Sequence, residues 1–307
     1  MIYLLLYVDD IIITGNNSSL LARFTRTLNS EFATKDLGSL SYFLGLEATL
    51  TSDGLFISQL KYAWDILTRA QLLDSKPVHT PMVVSQHLST DGSLFLDPTL
   101  YRSLVGALQY LTITRPDIAH AVNSVSTIHY GLHFRPSTSP GALVAYFDAD
   151  WASCPDTRRS TSGYSIYLGD NLVSWSAKKQ PTVSRSSCES EYRALASTAA
   201  ELIWLAHLLH DLKVSMPQQP TLLCDNKSAI FLSSNPISHK RAKHVELDYH
   251  FLRELVVMGK LRTQYVPSHL QVADIFTKSV PRPLFELFRS KLHVQSNPTL
   301  SLRGCWK

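Results

Sequence analysis

The chain has 307 residues, 45% of them hydrophobic and 18% charged, with a formal net charge of +4. That is too apolar for wholesale disorder, long enough for two domains with a core each, and only mildly basic. Its four cysteines, Cys154, Cys188, Cys224 and Cys305, are far apart with no C-x-x-C pair, which argues against a zinc site or a disulfide framework and for free thiols in a reducing compartment.

The opening MIYLLLYVDDIIITG reads as two short strands around an acidic turn. It has no basic leader, and Asp9 and Asp10 interrupt the apolar run, which argues against a signal peptide. No stretch reaches the roughly 18 apolar residues of a membrane span, so an intracellular chain with no membrane partner is expected. Leu20, Phe24 and Leu28 predict an amphipathic helix near Leu20–Phe32. Asp53-Gly54 predicts a hairpin turn, and Leu60, Trp64 and Leu67 a helix near Gln59–Gln71. After a polar, turn-rich loop, Leu104, Val105 and Leu108 predict a helix near Tyr101–Tyr110. Ile118, Val122, Val125 and Ile128 predict a second one following Pro116, and PSTSP (Pro136 to Pro140) reads as a linker.

Leu143–Phe147 then reads as a buried strand ending at Asp148. Tyr164–Leu168 and Leu172–Trp175 flank Gly169-Asp170-Asn171 as a hairpin. Ser186-Ser187-Cys188-Glu189 is a capping-box pattern opening a helix with Tyr192, Leu195, Ala199, Leu202, Ala206 and Leu209 in register. Leu222–Cys224 is a short strand ending at Asp225, and a helix near Val245–Met258 stops at Gly259. Lys260–Val266 alternates as a strand, and Val272–Lys278 is predicted helical. The order β-β-β-α-β-α-β-α implies an α/β (α+β) fold, a mixed sheet covered by helices. The expected divisions are 1–84, a connection over 85–140, an α/β domain over 141–282, and a helix and tail over 283–307.

Hydrolysis of a phosphodiester beside its own negative charge calls for a metal clamp, and Mg²⁺ takes oxygen ligands. The sequence mark of such a site is a set of carboxylates where apolar elements meet loops. Asp148 ends the first strand of the α/β domain, Glu191 lies in the first turns of the long helix, Asp225 ends the next strand, and Asp274 sits early in the last helical segment. Any one of them alone is an ordinary turn or cap residue; the four in this element order are what point to a metal site.

The strings AYFDADWA, RRSTSGYSIYLG, SWSAKKQ, SRSSCESEYRALA, LLCDNKSAI, SHKRAKHVELDYHFLRE and YVPSHLQVADIFTK run almost without a break from Ala145 to Lys278. They resemble the ribonuclease H domain of copia-type LTR retrotransposon polyproteins. The resemblance implies a ribonuclease H-like fold and an endonuclease that hydrolyses the RNA strand of an RNA–DNA hybrid with two Mg²⁺ ions, for which Mn²⁺ can substitute, and with no small-molecule cofactor. It implies Asp148, Glu191, Asp225 and Asp274 as metal ligands and picks Glu191 over Glu189, a first-turn acid suited to the helix dipole. It also implies that His269, in a Val-Pro-x-His string, aids proton transfer or product release. Arg158, Arg159, Lys178, Lys179, Lys240, Arg241 and Lys243 are the expected backbone grip.

YVDD (Tyr7–Asp10), with KDLGSLSYFLGLE and the stretch from Gly54 to Met82, resembles a reverse transcriptase palm and thumb. That implies Asp9 and Asp10 as metal-binding carboxylates. The fingers and the third carboxylate of such polymerases precede this hairpin, so polymerase activity is expected to be lost by truncation. Residues 1–84 are accordingly expected to be the less stable part, with a protease-resistant core beginning near Pro140. The rival readings are an inert retrotransposon remnant and a hybrid-binding module without catalysis; pairing with an intact reverse transcriptase is left open.

Overall fold

The computed structural model describes residues 1–76, 78–84, 96–121, 130–137, 139, 141–234 and 246–296. Strands β1 (Ile2–Tyr7) and β2 (Asp10–Gly15) form an isolated antiparallel ribbon. Helix α1 (Ser18–Glu31) follows, its first turn closed by the Asn17 side chain accepting from Leu20 N. Its apolar stripe finds little to pack on, and none of its residues is buried.

A short strand β3 (Tyr42–Phe43), then β4 (Leu46–Thr51) and β5 (Gly54–Ser58), make a meander. Gly54 takes φ +145° at the predicted turn, a conformation open to glycine. Helix α2 (Leu60–Arg69) lies beside it, with the Glu47 carboxylate of β4 accepting from Lys61 N at 2.8 Å. Helix α3 (Pro98–Leu111) begins at an Asp97 cap with proline in its first turn. Ala63 and Ile66 of α2 pack against Ala107, Leu108 and Leu111 of α3 and against Ile118.

Within the described residues, the helix predicted after Pro116 is only a 3₁₀ turn over Pro116–Ile118; residues 122–129 lie outside them. Strand β6 (Tyr130–Phe134) was not legible in the sequence. It adds to β5 on one side and takes β12 (Val294–Ser296), from the expected tail, on the other. The second sheet therefore has the order β12-β6-β5-β4-β3 and joins strands from both ends of the chain. This ties the meander of residues 42–58 into the rest of the molecule, whereas no residue of the ribbon or α1 is buried.

The other sheet has the order β11-β10-β7-β8-β9. Strands β7 (Leu143–Asp150), β8 (Thr161–Leu168) and β9 (Asn171–Lys179) are antiparallel. After helix α4 (Ser187–Asp211), β10 (Thr221–Cys224) lies parallel to β7, and β11 (Arg262–Tyr265) lies parallel to β10. Helices α5 (Lys227–Ser234), which the sequence pattern missed, and α6 (Glu246–Val257) connect these last two strands. The stripe of Tyr192, Leu195, Ala199, Leu202 and Leu209 on α4 is buried against Leu143, Ala145, Phe147 and Ile166. This is the mixed, helix-covered sheet that the resemblance implies.

The segment predicted as a helix at Val272–Lys278 is a 3₁₀ turn, Val272–Phe276, with all five residues buried. A run enclosed on every side presents no solvent face, and five residues are too few to propagate an α-helix. The chain ends its described part with α7 (Arg282–Lys291) and β12. Cys154, Cys188 and Cys224 are free thiols, and no helix among the described residues is long and apolar enough to cross a membrane.

Candidate active site

Parallel pairing of β7 with β10 brings the C-terminal ends of two strands side by side. Asp148 lies near the end of β7 and is 2% exposed; Asp225 directly follows β10. Helix α4 crosses this end and supplies Glu191, 6% exposed. Asp148, Glu191 and Asp225 each offer a carboxylate oxygen, and these oxygens all lie within 4.8 Å of one another. They line an open cleft of about 450 Å³ together with Asp150, Asn226, Lys227 and Lys278.

Asp274, 7% exposed on the 3₁₀ turn, stands next to this trio rather than inside it. The Lys278 ammonium lies 3.0 Å from its Oδ1 and 3.5 Å from Oδ2 of Asp148, and so bridges the two carboxylates. Thr277 Oγ1 also donates to Asp148. The turn can come this close because its neighbour on β8 is a glycine. A Cβ on Gly163, the residue paired with Asp148, would sit 2.5 Å from Phe276 Cβ and 2.9 Å from Thr277 Cγ2.

Crowding of carboxylates away from water shows in their proton affinities. Burial first, then the charges of Asp148 and Asp225, push the Glu191 carboxyl up to about 9. Burial and Asp148 push Asp274 up to about 7. For Lys278 burial acts to lower the ammonium pKa, but Asp148 and Asp274 outweigh it and hold the group above its ordinary value. Glu191 Oε2 is buried without a hydrogen-bond partner. An unpaired, buried carboxylate oxygen beside two more is what a hard divalent cation would satisfy, so the donor set fits Mg²⁺ or Mn²⁺.

Glu189 has other partners: it accepts from Arg185 N and pairs with Arg193 at 2.7 Å. His269 is exposed on a second 3₁₀ turn, Ser268–Leu270. Its neighbour Ser268 donates to Asp225 Oδ2 at 2.7 Å, so the histidine stands one residue from the carboxylate cluster. Arg158 and Arg159 lie on the loop joining β7 to β8, and Lys178 and Lys179 end β9. The register Asp150↔Thr161↔Lys179 places all four at the same end of the sheet as Asp148. Lys179 Nζ lies 3.1 Å from Cys154 Sγ. Lys240, Arg241 and Lys243 lie outside the described residues. Asp9 and Asp10 are exposed at the tip of the β1–β2 ribbon, and among the described residues no third acidic, histidine or cysteine ligand gathers around them.

Lys278, Thr277 and Gly163 escaped the sequence reading. The i, i+4 spacing of Asp274 and Lys278 was the available signal for the first; the other two depend on contacts across the chain.

Residues 1–84 match the reverse transcriptase (RNA-dependent DNA polymerase) family. The chain is 42% identical over 322 residues to the retrovirus-related Pol polyprotein from transposon RE1 of Arabidopsis thaliana, an alignment covering 97% of this chain and 22% of that one. An uncharacterized mitochondrial protein of the same plant is 48% identical over 225 residues, covering 66% of this chain and 93% of that protein. Among solved structures, the N-terminal RNase H domain of Rv2228c from Mycobacterium tuberculosis, determined as a fusion with maltose-binding protein, is similar at 14% identity and a TM-score of 0.35, over 48% of this chain and 96% of that one. The chain spans less than a quarter of the length of the RE1 polyprotein. With that identity running along nearly its whole length, the chain belongs to the copia-type retrotransposon Pol polyprotein family.

Proposed function

We propose that residues 141–282 form a ribonuclease H that hydrolyses the RNA strand of an RNA–DNA hybrid. The observation that carries this reading is the trio of carboxylate oxygens from Asp148, Glu191 and Asp225, gathered within 4.8 Å at the floor of an open cleft. Family membership supports it. Asp148, Glu191, Asp225 and Asp274 would hold two Mg²⁺ ions, or Mn²⁺ in their place. When bound, such ions lower the pKa of a ligand water and neutralise charge on the leaving oxygen.

The chain's own residues do the remainder. The β7 and β10 backbones and α4 fix the carboxylates, so little rearrangement is needed as charge develops. Lys278 neutralises part of the cluster and holds Asp274 beside Asp148. His269 sits where a proton can be passed to or from a group leaving the cleft. Arg158, Arg159, Lys178 and Lys179 line up at the same end to meet the backbone phosphates, with Lys240, Arg241 and Lys243 as further candidates. Asp9 and Asp10 enter no step of this reading.

Lys278 gives a second reading some support, since a tethered ammonium already occupies the space between Asp148 and Asp274. A module that binds hybrid without cutting it could use such an arrangement. One assay separates the two: labelled hybrid incubated with the purified chain in Mg²⁺ or in EDTA. Cleavage of the RNA strand in Mg²⁺ alone supports the nuclease; hybrid that is shifted on a native gel but uncut in both supports the module.

A further inference from the structure

The segment from Val266 to Asp274 runs over the ends of β7 and β10 and is fastened to both. Val266 N donates to Cys224 O at 2.9 Å, and Ser268 Oγ donates to Asp225 Oδ2 at 2.7 Å. Gln271 then turns inward. It is fully buried, its Nε2 donates to the Phe147 carbonyl at 3.0 Å, and its Oε1 accepts from Ala273 N at 3.4 Å.

The partners matter more than the bonds. Phe147 immediately precedes Asp148, and Ala273 immediately precedes Asp274. Pairing between β7 and β10 ends at Tyr146↔Leu223, so the Phe147 carbonyl lies just beyond that ladder, and Gln271 supplies its donor. An amide is costly to bury unless it is paired, and an apolar residue in its place would leave the Phe147 carbonyl and the Ala273 N–H without these partners. A buried amide whose two ends meet the backbone beside two separate carboxylates is doing more than filling volume. Ser268 acts likewise on a third, Asp225, from the same segment.

We propose that Gln271 and Ser268 are positioning residues. Gln271 sets the separation of Asp148 from Asp274, Ser268 orients Asp225, and together they tune the cation affinity of the cluster. This rests on the nuclease reading above, and it reaches activity only through the geometry of the carboxylates.

The test uses the full chain, with Mn²⁺ as the probe, in Gln271→Met, Ser268→Ala and Ser268→Thr. Mn²⁺ binding is measured by titration calorimetry without nucleic acid, and kcat and KM for hybrid cleavage are measured separately. Gln271→Met keeps length and bulk but loses both hydrogen bonds; it should weaken Mn²⁺ binding and lower kcat by about 10-fold or more, with KM for hybrid unchanged. Ser268→Ala removes one exposed hydroxyl and does not threaten folding. It should show a smaller loss of the same kind, restored by Ser268→Thr. Leu209→Ala, a core truncation at the far end of α4, should lower the melting temperature and leave Mn²⁺ affinity alone; this separates positioning from loss of stability. Wild-type Mn²⁺ affinity in folded Gln271→Met, or in Ser268→Ala should the first variant not fold, overturns the proposal. If the wild-type chain binds Mn²⁺ but cuts no hybrid, the nuclease reading fails instead, and the affinities still decide the positioning role.

Discussion

The β1–β2 ribbon and the β7–β10 strand ends make an instructive pair, because each carries carboxylates framed by apolar strands. At the ribbon, Leu4, Leu5, Leu6, Tyr7 and Val8 are each more than half exposed, and Asp9 and Asp10 stand in solvent. At the sheet, Phe147 and Ala145 are fully buried, and Asp148 is held among Glu191, Asp225 and Lys278. Local pattern is similar in the two places; surroundings are not. Carboxylates become a candidate metal site when elements distant in sequence converge on them and exclude water, which is also what raises the Glu191 and Asp274 pKa values.

The sharpest way to break this contrast is to neutralise one acid in each region. Asp148→Asn should reduce Mg²⁺-dependent hybrid cleavage by about 10³-fold, the scale of several kcal/mol of lost charge stabilisation. Asp9→Asn should leave cleavage unchanged in the same gel assay. Equal effects from the two would overturn the distinction.

Next in size is Gly163→Ala. The added methyl must displace Phe276 and Thr277, and with them the turn carrying Asp274. Overpacking of this kind costs about 1–3 kcal/mol, to be read from urea denaturation, and cleavage should fall with it. Wild-type stability and activity in this variant would mean that the turn does not pack so closely on β8.

Stability against pH probes the same cluster without substrate. Glu191 and Asp274 have folded-state pKa values of about 9 and about 7, above their ordinary values. Between roughly pH 4 and 9 the folded state therefore holds more protons than the unfolded one, and stability falls as pH rises. In EDTA the melting temperature should decline across this window, fully present stabilisation being found at its acid end. Mg²⁺ should flatten the decline by favouring the ionised carboxylates. A decline unchanged by Glu191→Gln would place its source elsewhere.

Limited proteolysis should cut the ribbon and α1 first, where no helical residue is buried. The β4–β5 hairpin should resist together with the rest, since β5 pairs with β6 and β6 with β12. Early loss of residues 42–58 would show that the second sheet opens readily. The smallest effect is expected from the grip. Lys178→Ala with Lys179→Ala should weaken hybrid binding and flatten its salt dependence by about one slope unit per lost phosphate contact. Lys179, already in contact with Cys154, should contribute the lesser part.

Much of the sheet that carries Asp148 was readable in the chain itself. The Ser186 cap and the stripe on α4, like the Asp53-Gly54 turn of the other sheet, depend on neighbours within a few residues, where spacing and side-chain chemistry suffice. Asp148 and Asp225 were visible as the ends of apolar strands and Glu191 in the first turns of the long helix, with the resemblance choosing it over Glu189. What sequence pattern could not supply depends on partners far along the chain. β6 becomes a strand because β5 and β12 offer it edges, over 70 residues before it and 160 after. The 272–276 turn is a short buried segment, packed on β7 and β8 and against α7, and those neighbours come from elsewhere in the chain. Asp9-Asp10 and Asp148 read alike as sequence, and only the tertiary structure separates an acidic turn left in water from a carboxylate buried among others. Burial and charge convergence are properties of the assembled fold, and local periodicity has no access to them.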